Sequence, residues 1–245
     1  MSLPKVSIII PCYNAEKWVK ECVESALQQT YDNIEVIVVD NESVDKSPEI
    51  IQKIQEEFSS LIVSEAPNIY PYCWDEARRR GFELMTGDYV LVMGADDYLD
   101  KNFIENCMKL ILSRPDKILA LQSPIKGVQA DQGIIINEIK HNYRSLEEFK
   151  HLSLTKCPVN TPTVIYNTSL YHHGLLETRP ELYGGAADYD LYCSLADNGI
   201  MIVAAPMWLG FYYRWHEEQA TWKVHMAGID HDKAIQKHWG TKWKI

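Results

Sequence analysis

No CxxC pair occurs among the six cysteines of this 245-residue chain (Cys12, Cys22, Cys73, Cys107, Cys157 and Cys193). That argues against metal knuckles and a disulfide framework, and fits reduced thiols in a cytosol. No HExxH phrase occurs either, so the eight histidines carry no zinc-protease signature. No apolar run approaches the ~20 residues needed to span a bilayer. The opening "KVSIIIP" reads as a strand, too short and too weakly flanked for a signal peptide. Positive charge is scarce, with 24 Lys and Arg against 34 Asp and Glu and a net charge of −10. A nucleic-acid surface or a general anionic-membrane surface needs a basic face, so both are disfavoured. One phosphate pocket stays open, with "EARRRGFE" as local positive charge. Repeats, low-complexity tracts and linkers are missing too. These absences leave a cytoplasmic chain, soluble or peripherally attached at the inner face of a membrane.

What is present reads as an α/β protein. Hydrophobic residues make up 46% and charged ones 24%, an ordinary globular balance. Val6 to Ile10 is a β-branched run stopped by Pro11, as in a strand buried on both faces. Asn14 stands as an N-cap before Trp18, Cys22, Val23, Ala26 and Leu27 at helical spacing. Ile34 to Asp40 is a second buried strand, followed by a helix with Pro48 in its first turn. Leu61 to Ser64, a helix from Cys73 to Met85, the strand Tyr89 to Met93 and a helix over Phe103 to Leu112 continue the alternation. Such alternation predicts a mostly parallel central sheet flanked by helices. Beyond residue 115 the rhythm weakens. Ile118 to Gln122, Val164 to Tyr166 and Met201 to Ala205 read as strands and Ala187 to Asp197 as a helix, while 126–156 shows no clear period. The chain is expected to form one domain over 1–245, with 1–115 holding a ligand and 116–245 completing its cleft.

In parallel sheets ligands collect at the carboxyl ends of the strands. Three such ends carry polar residues here: Cys12-Tyr13-Asn14, Asp40-Asn41 and Asp96-Asp97. The last is the most pointed, because "VLVMGADDYLD" drives an apolar strand into two adjacent acids. Two neighbouring carboxylates repel unless solvent or a cation takes up the charge.

The phrases "VSIIIPCYNAEKWVKECVESALQQTYDNIEVIVVDNESVDKS", "GDYVLVMGADDYL", "GGAADYDLYCSLADNG" and "YYRWHEEQAT" together resemble the family 2 glycosyltransferases. The likeness is strong over 5–105 and weaker over 160–222. It implies a GT-A (nucleotide-diphospho-sugar transferase) fold. It also implies inverting transfer of a sugar from a nucleotide-sugar, UDP by analogy, to a glycan, lipid-linked or protein acceptor in glycan biosynthesis.

By that resemblance Pro11, Tyr13, Asn14, Asp40, Asn41 and Asp96 contact the donor nucleotide, Asp97 holds Mn²⁺ or Mg²⁺, and Asp188 is the general base. Residue chemistry alone adds Arg78 as a nucleotide contact and His216 as a further metal or diphosphate contact. The residue chemistry suits these roles. Tyr13 offers a ring face to a base, and Asp40 and Asn41 offer acceptors. Arg78 offers a planar donor fork. Hard cations take carboxylate and phosphate oxygens. Plainer readings stand beside each role: helix caps for Asp96-Asp97 and for Asp188, turn and cap roles for Tyr13 and Asp40, a solvated helix face for Arg78. Asp190 competes with Asp188 as base. The sequence departs from the family's usual pattern at Asn41 and Glu42 (commonly Asp-Gly), Arg79 (commonly Asn), Gly94 (commonly Asp) and Ala187 (commonly Glu). Those departures leave a catalytically silent nucleotide-sugar-binding or scaffolding protein as the alternative. A nucleotidyltransferase is disfavoured, because no glycine-rich basic loop follows Ile10.

Overall fold

The computed structural model describes residues 3–69, 73–114, 118–219 and 230–245. The elements, in chain order, are β1 (Val6–Cys12), α1 (Val19–Leu27), β2 (Ile34–Asp40), α2 (Ser47–Glu57), β3 (Ile62–Glu65), α3 (Cys73–Leu84), β4 (Tyr89–Val92), β5 (Tyr98–Leu99), α4 (Phe103–Leu112), β6 (Ala120–Gln122), β7 (Ile125–Gln129), β8 (Ile134–Ile139), α5 (Leu146–Leu152), β9 (Ile165–Asn167), α6 (Ser169–His172), α7 (Pro180–Tyr183), α8 (Ala187–Asp197), β10 (Val203–Ala204), β11 (Phe211–Trp215) and α9 (His231–Trp243). Short 3-10 turns lie at Thr161–Thr163 and Gly184–Ala186.

The main sheet has the order β10-β6-β9-β4-β1-β2-β3. Strand β9 runs antiparallel to both its neighbours, while β3, β2, β1 and β4 are mutually parallel, as are β6 and β10. Side chains of a strand alternate between faces, so the continuous apolar runs feed two cores. Ile8, Ile10, Val36, Val38 and Leu91 pack beneath α1, α2 and α4; Ile9, Ile37, Val39 and Val90 pack with residues of α3, α5 and α8 on the other side. A second sheet, β5-β11-β7-β8, stands beside the first.

Pro11 shapes the carboxyl edge. Pairing of β1 with β4 stops at Ile9↔Val92, whereas pairing with β2 continues to Cys12↔Asp40. The strand therefore runs two residues past the expected stop, on its β2 side only. A proline lacks the N–H that a ladder needs, so β1 and β4 part company where it falls.

Two sequence expectations are corrected. Asn14 does not cap α1: the helix starts at Val19, and Asn14 adopts a left-handed φ of 48°. Asparagine tolerates that region because its short side chain can bond locally. The stretch 126–156 is a hairpin, β7-β8, followed by α5. A register shift between Gly127 and Val128 breaks the alternation, and β8 is exposed along Ile134 to Glu138. Hence no period could be read.

The amino edge of the sheet is closed by one buried carboxylate. Glu35 accepts from Ser7 Oγ at 2.5 Å, Thr86 N at 2.6 Å and Thr86 Oγ1 at 2.8 Å, with Lys5 Nζ at 2.5 Å. Burial alone would raise its pKa, but the Lys5, Ser7 and Thr86 contacts hold it below the usual value. A depressed carboxylate contributes stability above its unfolded pKa, ordinarily near 4.5, and loses it as pH falls through the lower folded value. Glu35→Gln should therefore cost about 1–3 kcal/mol at neutral pH. Urea unfolding should show that gap at pH 7 and a much smaller one at pH 3.

Candidate functional site

The two loops at the carboxyl ends of β1 and β2 are laced together. Asn41 N donates to Cys12 O at 2.8 Å, Asn14 N to Ser43 Oγ at 3.0 Å, and Val44 N to Asn14 Oδ1 at 2.9 Å. Ala15 N donates to Ser47 Oγ, Glu16 N to Asp45 Oδ2, and Lys46 N returns to Glu16 Oε2. Above this floor the Tyr13 side chain stands 48% exposed. Asp40 is buried: its Oδ2 accepts from Ser43 N, while its Oδ1 is buried without a partner. An unsatisfied buried acceptor is costly and marks a place for a donor group. Asn41 is buried, with its amide donated to the Ala66 and Pro67 carbonyls, so it braces the β3 end. Glu42 keeps the left-handed φ (56°) that the family's usual glycine would take freely, and its Oε2 accepts from Asn68 N. Pro11, half-buried, ends this floor beside β4.

The acid pair lies one strand over. Strand β5 separates it from α4, whose N-cap position is Asn102, so neither acid caps a helix. Asp97 is 1% exposed and its Oδ1 accepts from Arg214 N at 3.0 Å. Burial, then the neighbouring Asp96, pushes its carboxyl well above the usual range, against the opposing pull of Arg214. The Asp96 carboxylate remains 29% exposed, with His216 Nε2 at 3.0 Å from its Oδ2. His216 Nδ1 is buried without a partner. Gly94 leaves the room that Asp96 uses, since a Cβ there would lie 2.5 Å from Asp96 Oδ1. These residues fit a hard cation that takes only part of its shell from protein. Among the described residues no three His, Cys, Asp or Glu side chains cage an ion, and phosphate and water commonly fill the rest. The nearby thiols offer no nucleophile: burial, then Asp40, pushes Cys12 up to about 12, and burial, then Asp97, raises Cys22.

Asp188 reaches the same edge by a different route. Strand β9 begins where β4 and β6 end, with Ile165 opposite Leu91 and Leu121. The turn Thr161–Thr163 just before it thus lies at the carboxyl edge, and Thr161 Oγ1 donates to Asp188 Oδ2 at 2.5 Å. The N-cap position of α8 is Ala186, and Asp188 accepts from Tyr189 N inside the first turn. Ala187, before it, is buried. Asp190, by contrast, is 2% exposed and consumed by protein: Arg179 grips both its oxygens at 2.8 Å and Trp239 Nε1 donates at 2.9 Å.

Arg78 is also committed. It donates to Asp75 Oδ1, the Leu176 carbonyl and Thr178 Oγ1, and lies 5.1 Å from the Phe82 ring centre. It staples α3 to the 176–178 segment instead of facing solvent as one stripe with its neighbours. Of the C-terminal aromatics, Trp239 and Trp243 bind Asp190 and Asp197, and His231 packs on Gly184; Trp222 and His225 lie outside the described residues. Sequence reasoning missed Arg214, Gln219, Glu21 and Thr161. One signal was available: Arg214 shares a strand face with Tyr212 and leads to His216 at alternating positions.

Comparison with known proteins bears on the family and the fold. The family model "Glycosyl transferase family 2" matches residues 7–178. Glycosyltransferase GlyA of Streptococcus pneumoniae is 33% identical over 108 residues, covering 44% of this chain and 15% of that protein. Chondroitin synthase of Pasteurella multocida is 29% identical over 198 residues, covering 80% of this chain and 19% of that protein. The chain thus spans less than a fifth of either relative's length. Among solved structures, S. aureus TarS 1–349 in complex with UDP-GlcNAc superposes with a TM-score of 0.71 at 21% identity, covering 97% of this chain and 66% of that one. The mannosyltransferase PcManGT of Pyrobaculum calidifontis, in complex with GDP-Man and Mn²⁺, gives 0.64 at 18% identity, covering 89% and 59%. The fold is GT-A, a mixed α/β sheet flanked by helices. With the model matching more than half its length, the chain belongs to glycosyl transferase family 2.

Proposed function

We propose that this chain transfers a sugar from a nucleoside-diphosphate-sugar, UDP-linked by preference, to an acceptor hydroxyl with inversion. The observation that carries this reading is the convergence at one sheet edge. The exposed Tyr13 ring and the unpartnered Asp40 Oδ1 end β1 and β2, and the open Asp96 carboxylate follows adjacent β4. Tyr13 stacks on the base and Asp40 accepts from the base or ribose. Asn14, Asn41 and Pro11 shape that pocket through the backbone. Arg78, its donors engaged by Asp75, Leu176 and Thr178, acts by fixing the wall beside it. Asp97 and His216 would hold Mn²⁺ or Mg²⁺, with Asp96 acting through water or on the donor ribose or sugar, and the cation when bound supplies positive charge to the diphosphate leaving group.

Asp188 takes the proton of the acceptor hydroxyl as that oxygen attacks the anomeric carbon. The bond from that carbon to the diphosphate oxygen breaks with its electron pair on the diphosphate, and attack from the opposite face inverts the centre. Thr161 donates to Asp188 Oδ2 and so aims the carboxylate. Residues 1–115 form the donor half and 116–245 the acceptor half of one domain. The work of such an enzyme belongs to glycan biosynthesis, on the cytoplasmic side. No described helix is long and apolar enough to cross a membrane. UDP is preferred in line with the TarS complex. A catalytically silent protein is the less favoured reading, because Gly94 accommodates the Asp96 carboxylate that the usual acid at its position would crowd.

A thermal-shift screen of nucleotide-sugars with and without Mn²⁺ tests the donor, since a ligand of the folded state raises the midpoint. Calorimetry should find UDP binding strengthened by Mn²⁺, and Asp97→Asn should remove most of that gain. Equal affinity in EDTA and Mn²⁺ would refute the cation reading. Tyr13→Ala should weaken UDP binding by about 1–3 kcal/mol, the range for a base stacked on an aromatic ring. Asp188→Asn should leave UDP binding within twofold while transfer falls about 10²–10⁴-fold. Near-normal transfer by that variant places the base elsewhere.

A further inference from the structure

Arg214 is a buried cation with an unusual set of neighbours. The residue is 4% exposed, yet it touches four separate elements. Its guanidinium lies 4.5 Å from the Tyr98 ring centre and 5.0 Å from that of Trp18. One arm, Nη1, donates to the Asp96 carbonyl at 2.9 Å, and Nη2 donates to Glu21 of α1. Its main-chain N–H donates to Asp97 Oδ1, and its carbonyl accepts from Gln219 Nε2 at 2.5 Å. The other end of that same amide, Gln219 Oε1, accepts from His216 N at 3.2 Å. Thus α1, the acid loop, β5 and the turn bearing His216 are joined through one side chain and its backbone. The guanidinium grips the loop by its carbonyl and leaves the partly exposed Asp96 carboxylate to His216.

We propose that Arg214 is a positioning residue for the donor site. It holds Asp96, Asp97 and His216 converged in the metal-free protein and offsets part of their charge, so that a diphosphate with its cation meets a preformed cradle. The planar fork does this better than a flexible ammonium, because it bonds two partners while lying near two rings. The inference rests on the reading of Asp96-Asp97 as the diphosphate and cation site.

Arg214→Lys keeps the charge and loses the fork. Free Mn²⁺ measured by electron paramagnetic resonance, with UDP present, should show affinity reduced by about 10–100-fold, the range for lost outer-shell support of a metal site. UDP affinity in EDTA should stay within twofold, because Tyr13 and Asp40 lie on other strands. Hydrogen exchange of the amides of 94–98 in metal-free protein should quicken at least tenfold, with those of β1 unchanged. Glu21→Gln, on the exposed side of the brace, should lower Mn²⁺ affinity to a smaller degree and decides the matter if Arg214→Lys does not fold. Unchanged Mn²⁺ affinity together with unchanged exchange at 94–98 would overturn the proposal. So would a parallel fall in metal-free UDP affinity, which would mean general damage. If the unmutated protein binds UDP without regard to Mn²⁺, the cation reading fails, and the exchange measurement alone judges whether Arg214 braces the loop.

Discussion

Two adjacent carboxylates at the end of a buried strand are an electrostatic problem, and much of this molecule is arranged around it. Asp97 is fully buried and Asp96 is next to it, so their repulsion is poorly screened. The protein answers with one buried guanidinium, one backbone N–H and one imidazole, all delivered by β11 and the turn after it. That answer obliges β11 to lie against β5 and α1, which fixes the second sheet relative to the first. The two stacked tyrosines Tyr98 and Tyr212, 4.6 Å apart, and the tilted Trp18–His216 pair fill the remaining space.

The opposite requirement governs β1 and β2. Their loops must be rigid without covering the cleft, and reciprocal side-chain-to-backbone bonds achieve this between Asn14, Glu16, Ser43, Asp45 and Ser47. Because those polar groups satisfy each other, the exposed Tyr13 ring and the unpartnered Asp40 Oδ1 stand out, and the proposed ligand contacts rest on them. Pro11 then separates this floor from β4, so that the proposed nucleoside contacts and the acid pair belong to neighbouring but diverging strands.

The architecture of the first half was legible in the sequence because its strands are continuous β-branched runs and its helices carry clean apolar faces. Ile34–Asp40 matches to the residue, and in the second half so does Ala187–Asp197. Legibility failed where local rules met long-range ones. Asn14 has the chemistry of a cap but spends it on the neighbouring loop at positive φ. Three consecutive arginines point about 100° apart on a helix, so they cannot share one fate: Arg78 is buried in bonds while Arg79 and Arg80 remain largely outside. Arg214 is paired with Glu21 from the far end of the chain and with an acid loop more than a hundred residues away, which no short window reveals. The acids themselves were visible; what holds them was not.

The most direct test of this account is a crystal structure of the protein with UDP and Mn²⁺. The base should lie against the Tyr13 ring and a donor group on Asp40 Oδ1, with the diphosphate and its cation at Asp97 and the Asp96–His216 pair and Arg214 unmoved. Nucleotide bound away from the carboxyl edge of β1, β2 and β4, or a diphosphate that leaves Asp96 and Asp97 untouched, would contradict it.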